Sequence, residues 1–364
     1  MNGFKEVIDI PPLSWIFRNK GDDWRILTER RKIVLEENNV FAGGYWTHIA
    51  LNPNFLRDGS VFWRDRHRIC RQWLHEVEKR SLEKLRRDVT TSCSRSECME
   101  MVTLVQYSFY PDGCFNEFPI LHTWRMCGFL PTTVVVDRVS DSIRRFQARY
   151  GDYVSIQQSK CLRAGDITSL SQDCICNLHR YFKTPYCLVV QDDGFPLTGR
   201  LSDFVGRWDY IGAPCVRDLP RQYLADFLLK DCLNGGFSLR SRRLCAATSL
   251  NWRIWGQKVQ KWFRLPIEED WFYSVNARWN PWHRMRYRFP WASEARRFSV
   301  MDMWGGLDID HMKGNCFGCH GYTTLYQWRD VLAALGYEEV PLESIARTMD
   351  GFFCKHRKRH VHFV

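Results

Sequence analysis

Two adjacent carboxylates, Asp192 and Asp193, follow a run of five apolar residues from Tyr186 to Val190. Such a run, closed by polar residues and then by Gly-Phe-Pro, predicts a buried strand that ends in a turn. Neighbouring acids at the end of a buried strand repel each other and lose hydration, so a cation, a basic side chain or a proton must compensate them. A divalent metal ion is the usual compensator, and a simple Asp-Gly turn is the alternative interpretation.

Two further polar motifs follow along the chain. Asn234 precedes the paired glycines Gly235 and Gly236, which either let a ligand approach the backbone closely or form a tight turn before a strand. Glu269 and Asp270 stand at the start of a predicted helix. Acids at that position can cap the helix through its dipole or can act as catalytic groups.

The segment Cys316-Phe-Gly-Cys-His320 formally matches a haem-attachment motif, and its cysteine pair could form half of a zinc site. Haem attachment normally needs export, for which the sequence gives no signal, and no second Cys-x-x-Cys exists to complete a zinc ribbon. His320 is the better candidate metal ligand, because a neutral imidazole binds divalent ions well. A structural histidine in a turn is the alternative.

The chain is basic, with a net charge of +11, and its surface should attract anions such as nucleic acid, acidic lipid headgroups or a phosphorylated small molecule. Residues 278–291 interleave four arginines with five aromatic residues and contain no acid. This mixture suits phosphates and the faces of sugars or bases, and a packed aromatic edge is the alternative. The tail at 355–360 is also basic and would lie in solvent or on an anionic surface.

These residues need a sheet to position them. Alternating patterns predict strands over 101–107, 132–137, 153–157 and 186–190, and helices over 118–127, 141–150 and 166–182. Repeated βα units predict an α/β fold with a mostly parallel sheet flanked by helices. Ligands of such sheets gather at the carboxyl ends of the strands, where Asp137, Asp192 and Asp193 fall. Neither a dinucleotide-binding glycine fingerprint nor a P-loop motif is present.

We predict three regions. Residues 1–98 form an amino-terminal extension with an amphipathic helix between Phe62 and Asp88, residues 99–335 form the α/β domain, and residues 336–364 form a carboxyl-terminal helix and basic tail. Fifteen scattered cysteines indicate a reducing compartment. No signal peptide and no run of roughly 18 apolar residues is found. We therefore expect a cytoplasmic protein, with peripheral contact to an anionic membrane as an option.

Five motifs in order resemble an uncharacterised domain family regarded as GT-A-type glycosyltransferases. The resemblance covers about residues 102–322, and the motifs are 191–195, 208–214, 234–241, 269–270 and 317–321. It implies a nucleotide-sugar donor held by a divalent metal ion, Mn2+ or Mg2+. The acceptor, whether glycan, lipid or protein, is not specified, and nucleic acid is not an expected partner.

The resemblance also implies residue roles. Asp193 resembles the last carboxylate of the metal-binding Asp-x-Asp motif, and His320 resembles the histidine that completes the metal site. Gln191 replaces the first acid of that motif, which leaves the contacts to the donor ribose open. Asp270 resembles the general base of inverting enzymes, with Glu269 as the substitute. The expected donor-binding residues are Asp137, Asp192, Asn234, Gly235, Gly236 and Arg240.

Two other functions fit parts of the sequence. A basic nucleic-acid-binding protein could use the 278–291 stretch, and it would bind RNA or DNA in a strongly salt-dependent way. A nucleotidyltransferase could use a similar metal site, and it would consume a nucleoside triphosphate. A non-catalytic relative of the glycosyltransferases is the remaining possibility.

Overall fold

The computed structural model describes residues 60–110, 114–214, 233–258, 269–276, 281–301 and 312–341. Within them, nine strands form two sheets. The strands are β1 (Val102–Ser108), β2 (Thr132–Val136), β3 (Val154–Gln158), β4 (Tyr186–Val190), β5 (Gly194–Pro196), β6 (Tyr210–Pro214), β7 (Leu233–Ser241), β8 (Ser299–Met301) and β9 (Gly318–His320).

The larger sheet has the strand order β3-β2-β1-β4-β7-β6. Strands β1 to β4 run parallel to one another, β7 is antiparallel to β4, and β6 is antiparallel to β7. Beside it lies a small sheet in the order β5-β9-β8. The fold class predicted from the sequence, a mostly parallel α/β sheet flanked by helices, is confirmed.

The described helices flank the large sheet in two groups. Helix α1 contacts α2 and α9, and α4 contacts α5 and α6. The helices are α1 (Ser60–Ser92), α2 (Phe118–Cys127), α3 (Asp141–Tyr150), α4 (Ile167–Asn177), α5 (Arg242–Asn251), α6 (Glu269–Trp271), α7 (Pro281–Arg286), α8 (Ala292–Phe298), α9 (Tyr322–Gln327) and α10 (Arg329–Ala334). Helix α5 continues as a π-helical turn over Trp252–Gly256, and α6 continues as one over Phe272–Asn276.

Local sequence explains where these elements begin and end. All five residues of β2 are Thr or Val and all are buried, as expected for a central strand. Helix α3 begins after Ser140, whose side chain accepts a hydrogen bond from the backbone nitrogen of Ile143. Helix α4 begins after Asp166, which caps the nitrogens of Thr168 and Ser169 in the same way. Helices α2 and α3 have the bounds predicted from the sequence.

The described part of the amino-terminal extension shares the core of the sheet. Helix α1 confirms the predicted amphipathic helix, and Trp73, Leu74 and Val77 are buried in the same hydrophobic cluster as β1 and β4. The predicted boundary after residue 98 therefore lies between two parts of one core. Residues 1–59, 277–280 and 342–364, including the basic tail, lie outside the described residues.

Two general properties complete the description. None of the helices that the structure describes is both long and apolar enough to cross a bilayer. Most of the twelve cysteines in the described ranges are wholly or partly buried.

Candidate functional site

The turn after β4, residues Gln191–Asp193, lies at the carboxyl edge of the parallel strands, and we call it the acid turn. Strand β5 follows it and pairs antiparallel with β9, so that Gly194 lies opposite His320. The backbone nitrogen of Gly321 also donates to the carbonyl of Asp193 at 2.7 Å. This register brings His320 Nε2 within 3.2 Å of Asp193 Oδ1 and within 3.3 Å of Gln191 Oε1.

The donor atoms at the acid turn fit part of a divalent metal site. A carboxylate oxygen, an imidazole nitrogen and an amide oxygen are all ligands of Mn2+ or Mg2+. Neighbouring ligands of an octahedral ion with bonds of 2.0–2.1 Å lie about 3 Å apart, which agrees with the 3.2 Å between Asp193 and His320. Metal binding would shift the imidazole proton to Nδ1, which faces the weak acceptor Met301 Sδ at 3.3 Å.

The protein ligands alone form an incomplete set. No group of three or more His, Cys, Asp or Glu side chains able to hold a metal ion is found among the described residues. Magnesium-type sites in phosphate-transfer enzymes are commonly built in this way, from one or two protein ligands completed by water and substrate phosphates. The residues present therefore fit an ion that is held jointly with a phosphorylated ligand.

Helix α1 adds residues to this site that sequence reasoning missed. Burial raises the pKa of Asp192 well above its usual range, and the charges of Glu78 and Asp193 raise it further, whereas Arg71 opposes them. Glu78 is itself buried, and burial raises its pKa although hydrogen bonds from His75 and Asn116 oppose the shift. Three carboxylates thus share one neighbourhood.

The position of Arg71 and Glu78 follows from the packing of α1 on α9. The Arg71 guanidinium lies 5.9 Å from the ring centre of Tyr322, the first residue of α9. Asn116 Nδ2 donates to both carboxylate oxygens of Glu78 at 3.1 Å and fixes that side chain. In the sequence, Arg71 and Glu78 look like residues on the solvated face of an amphipathic helix. Only the structure shows that Glu78 is buried.

Asn234–Gly236 form what we call the glycine loop, and we refer to the region that this loop shares with the acid turn as the cleft. They lie inside β7 and not in a turn before it. Ala213 and Gly212 are adjacent in β6, yet they pair with Asn234 and Ser238, so the intervening residues of β7 bulge out of the ladder. Bulges of this kind are enriched beside functional sites because they redirect the backbone.

Asp270 holds the glycine loop in place. Its Oδ1 accepts a hydrogen bond from the backbone nitrogen of Gly235 at 2.8 Å, and its Oδ2 accepts one from Asn234 Nδ2 at 3.1 Å. Asn234 Oδ1 in turn accepts from the backbone nitrogen of Gly236 at 2.8 Å. Asp270 remains partly exposed, and the loop fixes the orientation of its carboxylate.

Arg240 lies beneath the glycine loop and is fully buried. Its Nη2 donates to the Gly235 carbonyl at 2.9 Å and lies 3.6 Å from Glu269 Oε1. Its guanidinium is 4.6 Å from the ring centre of Tyr273. The direct donor contact that we expected of Arg240 is therefore not available in this structure. Because Glu269 Oε2 accepts from Ser171 at 3.1 Å, both oxygens of that acid also face protein partners.

The two halves of the cleft meet at Gly236. A Cβ placed on Gly236 would lie 2.2 Å from His320 Nε2 and 2.5 Å from Gln191 Oε1. A Cβ on Gly235 would lie 2.4 Å from Asp270 Oδ1 and 2.3 Å from the Arg240 guanidinium. Both positions therefore require glycine for close approach of side chains to the backbone.

Asp137 is the expected site residue that lies farthest from this cluster in the sheet. It follows β2, which is separated from β4 by β1. Two strand spacings correspond to about 9–10 Å. Asp137 is partly exposed at the same carboxyl edge, where its carbonyl accepts a hydrogen bond from Gln158 Nε2 at 3.0 Å. It thus borders the cleft without joining the acid turn.

Comparisons with known proteins give a family of unknown function and distant structural relatives. Residues 176–320 match the family described as "Protein of unknown function (DUF5672)". No curated protein matches the sequence. The chain is similar to the mannosyltransferase PcManGT from Pyrobaculum calidifontis in complex with GDP-Man and Mn2+, with 12% identity and a TM-score of 0.29 over 50% of this chain and 58% of that one.

It is also similar to S. aureus TarS 1-349, with 11% identity and a TM-score of 0.27 over 40% of this chain and 48% of that one. The chain thus spans about half the length of either structure. The family description names no activity. The activity therefore has to follow from the chemistry of the site.

Proposed function

We propose that this protein is a metal-dependent glycosyltransferase that moves a sugar from a nucleotide-sugar donor to an acceptor. The observation that carries the proposal is the distance of 3.2 Å between His320 Nε2 and Asp193 Oδ1. These two residues lie far apart in the sequence, and the pairing of β5 with β9 brings them together at the sheet edge. The resemblance of the five motifs to GT-A-type enzymes predicts this pair of residues. The proposal assigns the pair to the metal site of such an enzyme.

Asp193 and His320 would hold Mn2+ or Mg2+, with Gln191 Oε1 beside them. When bound there, the ion supplies positive charge against the diphosphate that leaves the sugar. The glycine loop would lie along the donor sugar, because Gly235 and Gly236 expose backbone without side chains. Asp192 and Asp137 would border the donor on the same edge. Arg240 would support the loop from below and not touch the donor.

Asp270 is the proposed general base. The acceptor hydroxyl must lose its proton as it attacks, and a fixed carboxylate that reaches the cleft can take it. Both acids have protein partners at both oxygens, but Asp270 binds the glycine loop itself, whereas Glu269 faces the buried Arg240 and Ser171. We therefore assign the base to Asp270, which lies beside the proposed position of the donor sugar. A base on the acceptor side corresponds to direct displacement, so we propose that transfer inverts the anomeric configuration.

A thermal-shift screen tests the metal and donor parts of the proposal. The full chain is heated with nucleoside diphosphates and nucleotide sugars, with and without Mn2+. We expect one nucleoside class to raise the melting temperature only when Mn2+ is present, because a ligand that binds the folded state stabilises it. Asp193→Asn should remove this effect. The exposed acid Asp152 provides the matched control, and Asp152→Asn should keep it.

The reaction itself is tested at Asp270 once a donor is known. Asp270→Asn should keep the Mn2+-dependent thermal shift and lower the transfer rate by about 10²-fold or more, the usual contribution of a general base. Near-normal transfer by this variant would rule out the assigned base. A product that retains the anomeric configuration of the donor would contradict inversion.

A further inference from the structure

Large apolar side chains are exposed on the α5 helical segment and on α7. Leu250 is 58% exposed and Ile254 is 45% exposed, and they stand four residues apart on one face of the α5 helical segment. Trp282 is 71% exposed and Met285 is 72% exposed, and they stand three residues apart on α7. Scattered single apolar residues are ordinary on a surface, but a contiguous group of large ones indicates an interaction site.

Side-chain contacts place the two pairs of exposed residues on neighbouring elements. Asn251 Nδ2 donates to His283 Nε2 at 2.6 Å, and these two residues follow Leu250 and Trp282 directly in the chain. A second contact joins the same elements, because the Arg243 guanidinium lies 5.5 Å from the ring centre of Tyr287. We call Leu250, Ile254, Trp282 and Met285 the apolar patch.

Basic residues flank the apolar patch in the sequence. The described segment 281–301 contains five arginines and one acid, Glu294, which lies 3.7 Å from Arg297. Arg286 on α7 and Arg253 beside Ile254 are exposed. The charge of this region therefore complements an anionic partner, while its centre requires an apolar one.

We propose that the apolar patch docks on an anionic lipid bilayer. Trp and Met side chains enter the boundary between headgroups and acyl chains, and neighbouring arginines contact the lipid phosphates. Nucleic acid fits this surface less well, because the aliphatic Leu250, Ile254 and Met285 cannot stack on bases as aromatic rings do. The proposal does not depend on which reaction the cleft performs.

Docking would also orient the cleft. Trp252, which lies between Leu250 and Ile254 in the π-helical turn after α5, packs edge-on against Phe272 with ring centres 5.2 Å apart. Phe272 lies two residues after Asp270 in the same helical segment. A bilayer bound at the patch would therefore hold the Asp270 side of the cleft at a fixed height above the membrane.

Co-sedimentation of the full chain with vesicles tests the proposal. One set of vesicles contains phosphatidylcholine alone, and the other contains phosphatidylcholine with phosphatidylserine. We expect binding to the anionic set that weakens with salt. The double variant Trp282→Ser with Met285→Ser should bind roughly tenfold more weakly or worse, because each side chain loses its burial in the bilayer. Arg286→Glu should weaken binding several-fold.

Matched controls lie elsewhere on the surface. Met101 is 38% exposed at the start of β1, and Arg145 is exposed on α3, so Met101→Ser and Arg145→Glu should bind vesicles as the unaltered chain does. Circular dichroism confirms that each variant is folded. The proposal is overturned if the unaltered chain ignores anionic vesicles, or if the patch variants bind them normally. It is equally overturned if the patch variants lose binding to an RNA oligonucleotide but not to vesicles.

Discussion

Carboxylates lie beside both the glycine loop and the acid turn, but their charges have different partners in the two places. At the glycine loop, Asp270 accepts two hydrogen bonds from the loop, and Glu269 faces the buried cation Arg240. At the acid turn, the charges of Glu78 and Asp193 raise the pKa of Asp192, and Arg71 opposes them only in part. Each acid beside the glycine loop has a hydrogen-bond donor or a cation as its partner, whereas the acids at the acid turn also repel one another.

This difference predicts that the acids beside the glycine loop contribute to the stability of the fold, whereas the acids at the acid turn contribute to cation binding. Carboxylates that accept hydrogen bonds or face a cation, such as Asp270 and Glu269, stabilise the folded chain and fix the shape of the loop. Carboxylates that face one another destabilise it until a cation binds, a common property of functional sites. Substitutions that remove charge should therefore have opposite effects on the two sides of the cleft.

Arg240→Met should have the largest effect on stability. It removes the cation beneath the glycine loop and leaves Glu269 and the Gly235 carbonyl without their buried partner. Breaking a buried ion pair by removing one member costs about 3–5 kcal/mol. Urea denaturation measures the free energy of unfolding, and the exposed Arg145 supplies the control Arg145→Met. A loss no greater than that of the control would show that the loop does not depend on Arg240.

Gly235→Ala should destabilise the chain by about 2–3 kcal/mol, the range of strained core substitutions. Its Cβ would lie 2.3–2.7 Å from the side chains of Arg240, Asp270 and Glu269, which are fixed by one another. Gly236→Ala is the informative comparison, because its Cβ meets His320 and Gln191 instead. We expect it to change stability less but to weaken Mn2+ binding, measured by isothermal titration calorimetry. Equal Mn2+ affinity in both variants would show that Gly236 does not lie closer to the metal site than Gly235 does.

Much of the fold could be predicted because local sequence decides it. The β-branched run 132–136 and the cap Ser140 fix where β2 and α3 begin. The pairing of β5 with β9 depends on contacts between distant segments, which periodicity does not encode. The approach of His320 to Asp193 was therefore expected only from the resemblance to a family.

The remaining features of the site depend on burial and register. Glu78 lies at a helical position that looks solvated until α1 packs on α9 and Asn116 binds it. The resemblance implies a contact between Arg240 and the donor, yet Arg240 is fully buried beneath the bulge in β7. The sequence lists the charged residues, but its patterns do not show which of them the fold buries.

Asp270→Asn should lower stability by about 1–2 kcal/mol, a typical loss for a hydrogen bond to a charged group. The substitution removes the charge from two bonds and can place an amide NH2 opposite the donors of Gly235 and Asn234. Urea denaturation at neutral pH measures the effect, and Asp152→Asn is the exposed control. A stabilised variant would mean that the two sides of the cleft do not differ.

Glu78→Gln should have the smallest effect and the opposite sign. Burial raises the pKa of Glu78 above its ordinary value of 4.5, so the charged form is less stable in the folded chain than in the unfolded chain. Gln keeps the size of the side chain and still offers an oxygen to Asn116, while it removes the charge. We expect a gain of up to about 1 kcal/mol at neutral pH.

The pH dependence distinguishes this charge effect from a change in packing. Between pH 4.5 and the raised native pKa, the folded chain binds a proton at Glu78 that the unfolded chain does not, so acidification stabilises the unaltered protein at this residue. The advantage of Glu78→Gln should therefore be largest at neutral pH and vanish as the pH falls below 4.5. Thermal unfolding of both proteins across this range measures it. If the advantage persists in acid, the gain comes from packing. The charge of Glu78 then does not contribute to repulsion at the acid turn.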